Sequence, residues 1–98
     1  CNAKISIGKD TLIAENVSIR DAEHKMAKDE KIQLQSVNSE EIKIGKDVWI
    51  GANTLILRGS LVKDGVVIGG NSLVNRKSKI EAFCIYAGSP VKLIKERV

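Results

Sequence analysis

Residues 44–74 read IGKDVW IGANTL ILRGSL VKDGVV IGGNSL V when they are written in blocks of six. Every block opens with Ile or Val, and the run continues to Ile80. A period of six does not keep one face of a helix, because a helix has about 3.6 residues per turn. A short strand followed by a turn fits the period, and the opening aliphatic of each block then points inward. The pattern predicts a parallel β-solenoid with stacked ladders of aliphatic side chains.

The remaining positions of the blocks support this interpretation. The fourth position holds Asp or Asn, which tolerate the unusual backbone of tight turns. The fifth position is small or β-branched, which suits the inside of a narrow prism. The predicted turn residues are Asp10, Asn16, Asp47, Asn53, Asp64 and Asn71. The predicted inward residues of the fifth position are Thr11, Val17, Val48, Thr54, Ser60, Val66, Ser72, Ser78 and Cys84.

The period breaks twice. It also runs through Ile7, Ile13 and Ile19, but it fails between residues 24 and 44, where the preceding block would place Glu23 inside. Burial of an unpaired carboxylate costs several kcal/mol, so the chain must leave the solenoid there. We expect a β-helix domain over residues 1–91 with an inserted loop at 24–43. The loop is either functional or a tolerated insertion. The second break comes at the C-terminal end of the blocks. There, residues 92–98 are predicted to form a tail or short helix that packs on the last coil.

Composition narrows the class of protein. The chain has 98 residues, enough for one small domain, and a net charge of +4. It has no apolar run long enough for a membrane span and no signal-peptide pattern. Its two cysteines are too few for a disulfide framework, so the cytoplasm is the expected location. No nucleic-acid-binding motif accompanies the positive charge, so we expect no nucleic-acid partner.

His24 is the only histidine and lies where the loop begins. A histidine ordinarily titrates near pH ~6.5, which suits removal of a proton from a hydroxyl at neutral pH. The alternative is a surface histidine without a role. Asp21 and Glu23 are close enough in sequence to orient the ring or to pair elsewhere on the surface. A solenoid zinc site needs three histidines, so we expect no metal.

Two further features suggest binding. Trp49 occupies an outward sixth position, where it needs a ligand or a neighbouring subunit as a partner, although simple edge packing is the alternative. Basic residues gather towards the C-terminus and form either a phosphate site or a solvated face. They are Arg76, Lys77, Lys79, Lys92, Lys95 and Arg97.

The segments Ile44–Asn53, Val67–Val74 and Ala87–Lys92 resemble the hexapeptide-repeat acyltransferases, in particular the sugar O-acetyltransferase branch that includes the maltose, galactoside, capsule and lipopolysaccharide enzymes. The resemblance implies an all-β, left-handed parallel β-helix with three blocks per coil. It also implies a homotrimer that uses acetyl-CoA. The segment Ile19–Lys25 resembles the loop motif that carries the general base, which would be His24.

The resemblance implies residue roles as well. Asp21 and His24 would form the catalytic pair. Contacts to acetyl-CoA, from its pantetheine arm to its nucleotide phosphates, would come from Trp49, Ala52, Gly70, Asn75, Arg76, Lys92 and Lys95. The predicted function is transfer of acetyl to a hydroxyl of a sugar or polysaccharide. The alternatives are an acyltransferase acting on serine or an amino sugar, and a non-catalytic trimeric scaffold.

Overall fold

The structure is a computed structural model that describes residues 4–24, 28–29, 31 and 37–97. Within these residues the regular structure consists of thirteen short β-strands and contains no helix. The strands are β1 (Ile5–Ile7), β2 (Leu12–Ile13), β3 (Ser18–Ile19), β4 (Ala22–His24), β5 (Val37–Ser39), β6 (Ile42–Ile44), β7 (Trp49–Ile50), β8 (Leu55–Ile56), β9 (Leu61–Val62), β10 (Val67–Ile68), β11 (Leu73–Val74), β12 (Cys84–Gly88) and β13 (Val91–Glu96).

The strands stack as a parallel solenoid with three flat faces. β1, β6 and β9 form the first face, β2, β7, β10 and β12 the second, and β3, β8 and β11 the third. Trp49 lies opposite Val67, which in turn lies opposite Ile85, so partners on successive coils are 18 residues apart. A coil of 18 residues contains three blocks of six, which confirms the prediction.

The interior is the predicted ladder of aliphatic side chains. The opening positions of the blocks are almost fully buried at Ile44, Ile50, Ile56, Val62, Ile68, Val74 and Ile80. Polar side chains at the fifth position are also buried, and their hydroxyls donate to backbone carbonyls. Ser60 Oγ donates to Leu57 O and Ser72 Oγ donates to Gly69 O, each at 2.6 Å. The narrow core therefore contains hydroxyl groups without leaving them unpaired.

The corners turn through residues with positive φ. The non-glycine residues in this conformation are Asp10, Asn16, Asp47, Asn53, Asn71 and Phe83, with φ between 54° and 63°. Asp64, predicted as a turn residue, does not hold this place: Gly65 does, with φ of 72°. Gly65 is the fourth residue of its block, whereas Asp64 is the third. The Asp64 carboxylate instead accepts a hydrogen bond of 2.8 Å from the Lys46 amide on the neighbouring coil.

Asn53 provides a test of this turn geometry. At φ of 60° a β-carbon is disfavoured, and Asn tolerates the conformation better than Ala. We expect Asn53→Ala to lower the free energy of unfolding by about 1 kcal/mol. Asn53→Gly should leave it unchanged or raise it slightly. Urea titration of both variants measures the difference, and equal stabilities of the two would contradict the assignment.

The inserted segment is a β-hairpin that leaves one corner of the solenoid. Ile7 pairs with Ile44, 37 residues later, which equals one coil of 18 plus 19 inserted residues. β4 and β5 pair antiparallel, and the Glu40 amide donates to Asp21 O at 3.0 Å where the chain returns. The insertion therefore lies between Asp21 and Glu40. The predicted span of 24–43 extends too far, because Ile42–Ile44 are already in the first face, where Ile42 and Ile44 are buried.

The C-terminal segment forms a strand rather than the helix that was one of the predicted forms. β12 ends at Gly88, which has φ of 110°, and a turn with a cis Ser89–Pro90 peptide leads into β13. β13 pairs antiparallel with β12 and begins at Val91, one residue before the predicted tail. The block pattern ends here, so the outer edge of β12 has backbone groups available for pairing. β13 pairs with that edge.

Candidate functional site

A groove runs along the second face of the solenoid and encloses about 550 Å³. We name it the Trp49 groove. It is apolar along its floor and has charged groups at its edges. Its lining residues are Asp10, Leu12, Asp47, Val48, Trp49, Val67, Ile85, Lys95 and Arg97.

Trp49 stands in the middle of this groove. Its strand pairs on one side with β2, where Leu12 is its partner, and on the other with β10, where Val67 is its partner. Ile50 faces the core, so its neighbour Trp49 must face outward, and the indole is 56% exposed. An aromatic side chain so exposed, in a column with Leu12 and Val67, offers a flat apolar surface to a ligand or a second subunit.

β13 supplies the basic edge of the groove. Lys95 lies opposite Ile85 in the antiparallel pair, and its side chain is exposed. Arg97 follows at the end of the strand, where its amide donates to Phe83 O at 2.7 Å. Its guanidinium donates to Gly65 O at 2.8 Å and to an Asp47 carboxylate oxygen at 3.3 Å. These hydrogen bonds join the end of β13 to the turns of two coils, at Asp47 and Gly65. They hold Lys95 at the edge of the groove.

Ala52 and Gly70 lie at the corner that follows the second face. They occupy equivalent places on neighbouring coils, and the Asn71 amide donates to Ala52 O at 2.9 Å. The coils approach closely here, since a β-carbon on Gly51 would lie 2.6 Å from the Gly70 nitrogen. Gly70 is exposed. The corner therefore presents backbone rather than side chains beside the Trp49 groove.

The other predicted cofactor residues, Lys92, Asn75 and Arg76, lie outside the Trp49 groove. Lys92 is exposed on β13 opposite Ala87. Asn75 and Arg76 line a separate depression of about 190 Å³ at the corner after the third face, together with Leu57, Arg58 and Lys77. Within one chain the structure brings Trp49 and Lys95 into one groove, and it does not bring Asn75 and Arg76 to the same place.

The two predicted catalytic residues lie at the hairpin. His24 is the last residue of β4 and pairs with Val37, but its side chain lies outside the described part of the structure. Asp21 precedes β4, is only 4% exposed, and accepts the Glu40 amide through its backbone carbonyl. The structure therefore places both on the segment that leaves the solenoid, and their catalytic roles stay predictions.

Asp47 is a groove residue that the sequence predicted only as a turn residue. Arg97 was predicted only as a member of the basic cluster, which is either a phosphate site or a solvated face. Its position depends on β13 folding back along β12, which the block pattern does not encode because the blocks end before it. Val67 and Ile85 could be found by counting steps of 18 from Trp49.

Comparison with known proteins identifies the family. Residues 41–76 match the bacterial transferase hexapeptide family of six repeats. Over 94% of its length the chain is 35% identical to WbbJ of Escherichia coli K12, a putative lipopolysaccharide biosynthesis O-acetyl transferase. Residues 41–76 belong to the hexapeptide-repeat transferase family. It spans 50% of the length of the E. coli relative.

Two solved acyltransferase structures are similar in shape to this hexapeptide-repeat chain. A maltose O-acetyltransferase from Clostridium difficile 630 matches 96% of the chain with a TM-score of 0.82 and 33% identity, over 49% of its own chain. A variant of AntD, an N-acyltransferase from Bacillus cereus in complex with dTDP and coenzyme A, matches 96% of the chain with a TM-score of 0.81 and 26% identity, over 53% of its own chain. The fold is thus the left-handed parallel β-helix, as predicted.

Among the residues that the structure describes, no helix is long and apolar enough to cross a membrane. The same residues contain no group of three or more His, Cys, Asp or Glu side chains arranged to hold a metal ion.

Proposed function

We propose that this hexapeptide-repeat protein transfers an acetyl group from acetyl-CoA to a hydroxyl of a sugar or polysaccharide. The observation that carries the proposal is the Trp49 groove, which combines an exposed indole with the Lys95 ammonium along one face of the solenoid. An extended molecule with an apolar arm and phosphates needs both kinds of surface. The O-acetyltransferase names of WbbJ and the C. difficile protein support the same reaction class.

In this proposal the pantetheine arm lies along the second face. Trp49 packs against it, and the exposed backbone at Ala52 and Gly70 supplies hydrogen-bonding groups at the adjoining corner. Lys95 and Lys92 lie on β13 and form no ion pair among the described residues, so both ammonium groups can meet phosphate oxygens. The complex of AntD with coenzyme A supports a binding site on this fold.

Asn75 and Arg76 can contact the same acetyl-CoA molecule as Trp49 only if the site is shared between two subunits. They lie at a different corner from the Trp49 groove, so one chain does not offer both surfaces to one ligand. A homotrimer would place a corner of one subunit against a face of its neighbour. We therefore include the homotrimer in the proposal, with a cytoplasmic location, where acetyl-CoA is available.

The proposed reaction is direct transfer. His24 accepts the proton of the acceptor hydroxyl, and the oxygen bonds to the acetyl carbonyl carbon. The carbon–sulfur bond then breaks, and the proton passes to the departing CoA thiolate. Asp21, next to the hairpin that carries His24, is proposed to orient the imidazole. The buried thiol of Cys84 takes no part, because it lies in the core as a small apolar side chain.

An amino sugar is the second candidate acceptor. It is favoured by the similarity to AntD, which is an N-acyltransferase and matches the fold as well as the maltose O-acetyltransferase does. An amine attacks a thioester with less assistance from a base than a hydroxyl requires. Parallel assays with a sugar and its amino analogue separate the two candidates.

Calorimetric titration with acetyl-CoA tests the binding step. We expect micromolar affinity that weakens when salt is raised, because charge pairs with Lys95 are screened. Trp49→Ala should weaken binding by about tenfold, which corresponds to about 1.4 kcal/mol. Lys95→Met should reduce the salt dependence, while Lys79→Met, a control outside the groove, should not. Trp49 is the only tryptophan, so its fluorescence reports the same event.

The titration can also contradict the proposal. A well-folded chain that binds no acetyl-CoA would favour the non-catalytic scaffold. Binding that is equally affected by Lys79→Met and Lys95→Met would show that the charge of the whole chain, rather than the Trp49 groove, attracts the ligand.

A further inference from the structure

A column of charged residues stands at the neck of the inserted hairpin. Glu40, Arg58 and Arg76 occupy equivalent corner positions on three successive coils, each 18 residues after the last. Both guanidiniums donate through Nη1 to the same oxygen, Glu40 Oε1; for Arg76 the distance is 3.0 Å. We call this group the neck clamp. Its carboxylate lies on the residue at which the hairpin rejoins the solenoid.

The backbone around Glu40 is held as firmly as its side chain. Its amide donates to Asp21 O at 3.0 Å, which closes the neck between the two ends of the insertion. Its carbonyl accepts from the Gly59 amide at 3.4 Å. Gly59 has φ of 76°, and a β-carbon there would lie 2.7 Å from Glu40 Oε2 and 2.9 Å from Arg76 Cβ. Glycine at position 59 thus leaves room for the clamp.

The clamp is partly shielded from water. The Arg58 side chain is 19% exposed and that of Glu40 is 37% exposed. Hydrogen bonds between ionised groups are stronger than neutral ones, and two cations on one carboxylate restrict its rotation. A surface pair of the same spacing, Lys63 with Glu81 at 3.2 Å, is far more open, with exposures of 45% and 72%. The two pairs also differ in position, since Glu40 lies at the base of the hairpin and Glu81 does not.

We propose that the neck clamp of Glu40, Arg58 and Arg76 is a positioning device that fixes the hairpin, and with it His24, relative to the solenoid. The inference rests on the proposed function, in which His24 is the base. β4 begins directly after Asp21 and ends at His24, and β5 ends directly before Glu40, so the neck is the only covalent attachment of the hairpin to the coils. Glu40 therefore acts on the reaction through the hairpin and not through contact with substrate.

Glu40→Gln tests the proposal with little change in shape. We expect amide hydrogen exchange in β4 and β5 to become about five- to tenfold faster, the change expected when a charge-assisted hydrogen bond is weakened. Amides of β7, β8 and β10 should exchange at the rate of the unmodified protein. We expect kcat to fall by about 10- to 100-fold, since small misplacements of a catalytic group are costly. KM for acetyl-CoA should change much less than kcat, because Arg76, the clamp residue that is also in the proposed cofactor set, keeps its charge. Arg58→Lys keeps the positive charge but loses the planar guanidinium, so its hairpin exchange and kcat should lie between those of the unmodified protein and those of Glu40→Gln.

Glu81→Gln is the matched control, because it removes a carboxylate from a pair with the same 18-residue spacing. It should leave hairpin exchange and kcat unchanged. Unchanged hairpin exchange in Glu40→Gln would overturn the proposal. Suppose that His24→Ala abolishes activity, while Glu40→Gln shows faster hairpin exchange but full kcat. That result would overturn the positioning role.

A second readout separates this proposal from the proposed function. His24 is the only histidine, so the Hε1 proton of its ring gives one resonance that is assigned without ambiguity. We expect Glu40→Gln, but not Glu81→Gln, to shift and narrow this resonance as the hairpin becomes more mobile. If the unmodified protein transfers acetyl to no acceptor, the proposed function fails, and the clamp is judged by exchange and by this resonance. Absence of change in both would overturn it.

Discussion

His24→Ala is expected to lower kcat for acetyl transfer by about 100- to 10,000-fold, the range that general base catalysis contributes. Without the imidazole, the acceptor hydroxyl must lose its proton to water, so its oxygen attacks the thioester poorly. Acetyl-CoA binding should be unchanged within about twofold, because the Trp49 groove lies on the solenoid and not on the hairpin. A coupled assay for free thiol measures turnover, and calorimetry measures binding.

Lys28→Ala is the control for this experiment, since Lys28 is an exposed residue of the same inserted segment. It should retain nearly full activity. A His24→Ala protein that keeps a third or more of the activity would show that another group is the base. Loss of both turnover and binding would indicate that the substitution disturbs more than the proton transfer.

Ile56→Ala is expected to lower the free energy of unfolding by about 2–5 kcal/mol, the range for truncation of a buried aliphatic side chain. Ile56 is 0% exposed and stands in the ladder between Ile19 and Val74. A solenoid interior is one side chain wide, so a cavity there has few neighbours that can close it. Urea unfolding at a fixed protein concentration measures the loss.

Leu61→Ala is the matched control for the core, because Leu61 is the sixth residue of the same block but faces outward and is 50% exposed. We expect its substitution to cost less than about 1 kcal/mol. Similar losses for the two variants would mean that inward and outward positions contribute equally. That result would contradict the alternation on which the fold was predicted.

Much of the scaffold was predictable because its physics is local and repeated. The aliphatic at the start of each block and the turn residue at its fourth position follow from one period, and the step of 18 between partners follows from that period together with the three blocks per coil that the resemblance implied. The error at Asp64 arose where two residues of turn-forming type, Asp64 and Gly65, stand side by side. Spacing alone assigns the turn to the fourth residue of the block, Gly65, and the structure agrees.

The candidate site was predictable only in part. Trp49 and Lys95 were chosen from separate segments, and the structure brings them into one groove. Asn75 and Arg76 were placed in the same set by resemblance, yet they line a different corner, where Arg76 bonds to Glu40. Arg76 lies 36 residues, or two coils of 18, after Glu40, so the bond follows from the coil length once Glu40 is known to be in the solenoid rather than in the inserted loop.

The amino-acid sequence by itself determined the parallel solenoid and the identity of the inward side chains, because each depends on a short period that repeats along the chain. The three blocks of each coil were implied by the family resemblance, since a period of six does not fix how many blocks make one coil. The tertiary structure decided where the hairpin begins and ends, the strand form of residues 91–96, and the contacts of Arg97 and Glu40. These depend on pairing between segments up to 50 residues apart, as in the bond of Arg97 to Asp47. A period specifies which side chains stack on the next coil. It does not specify which contacts form at the residues where the period is interrupted or ends.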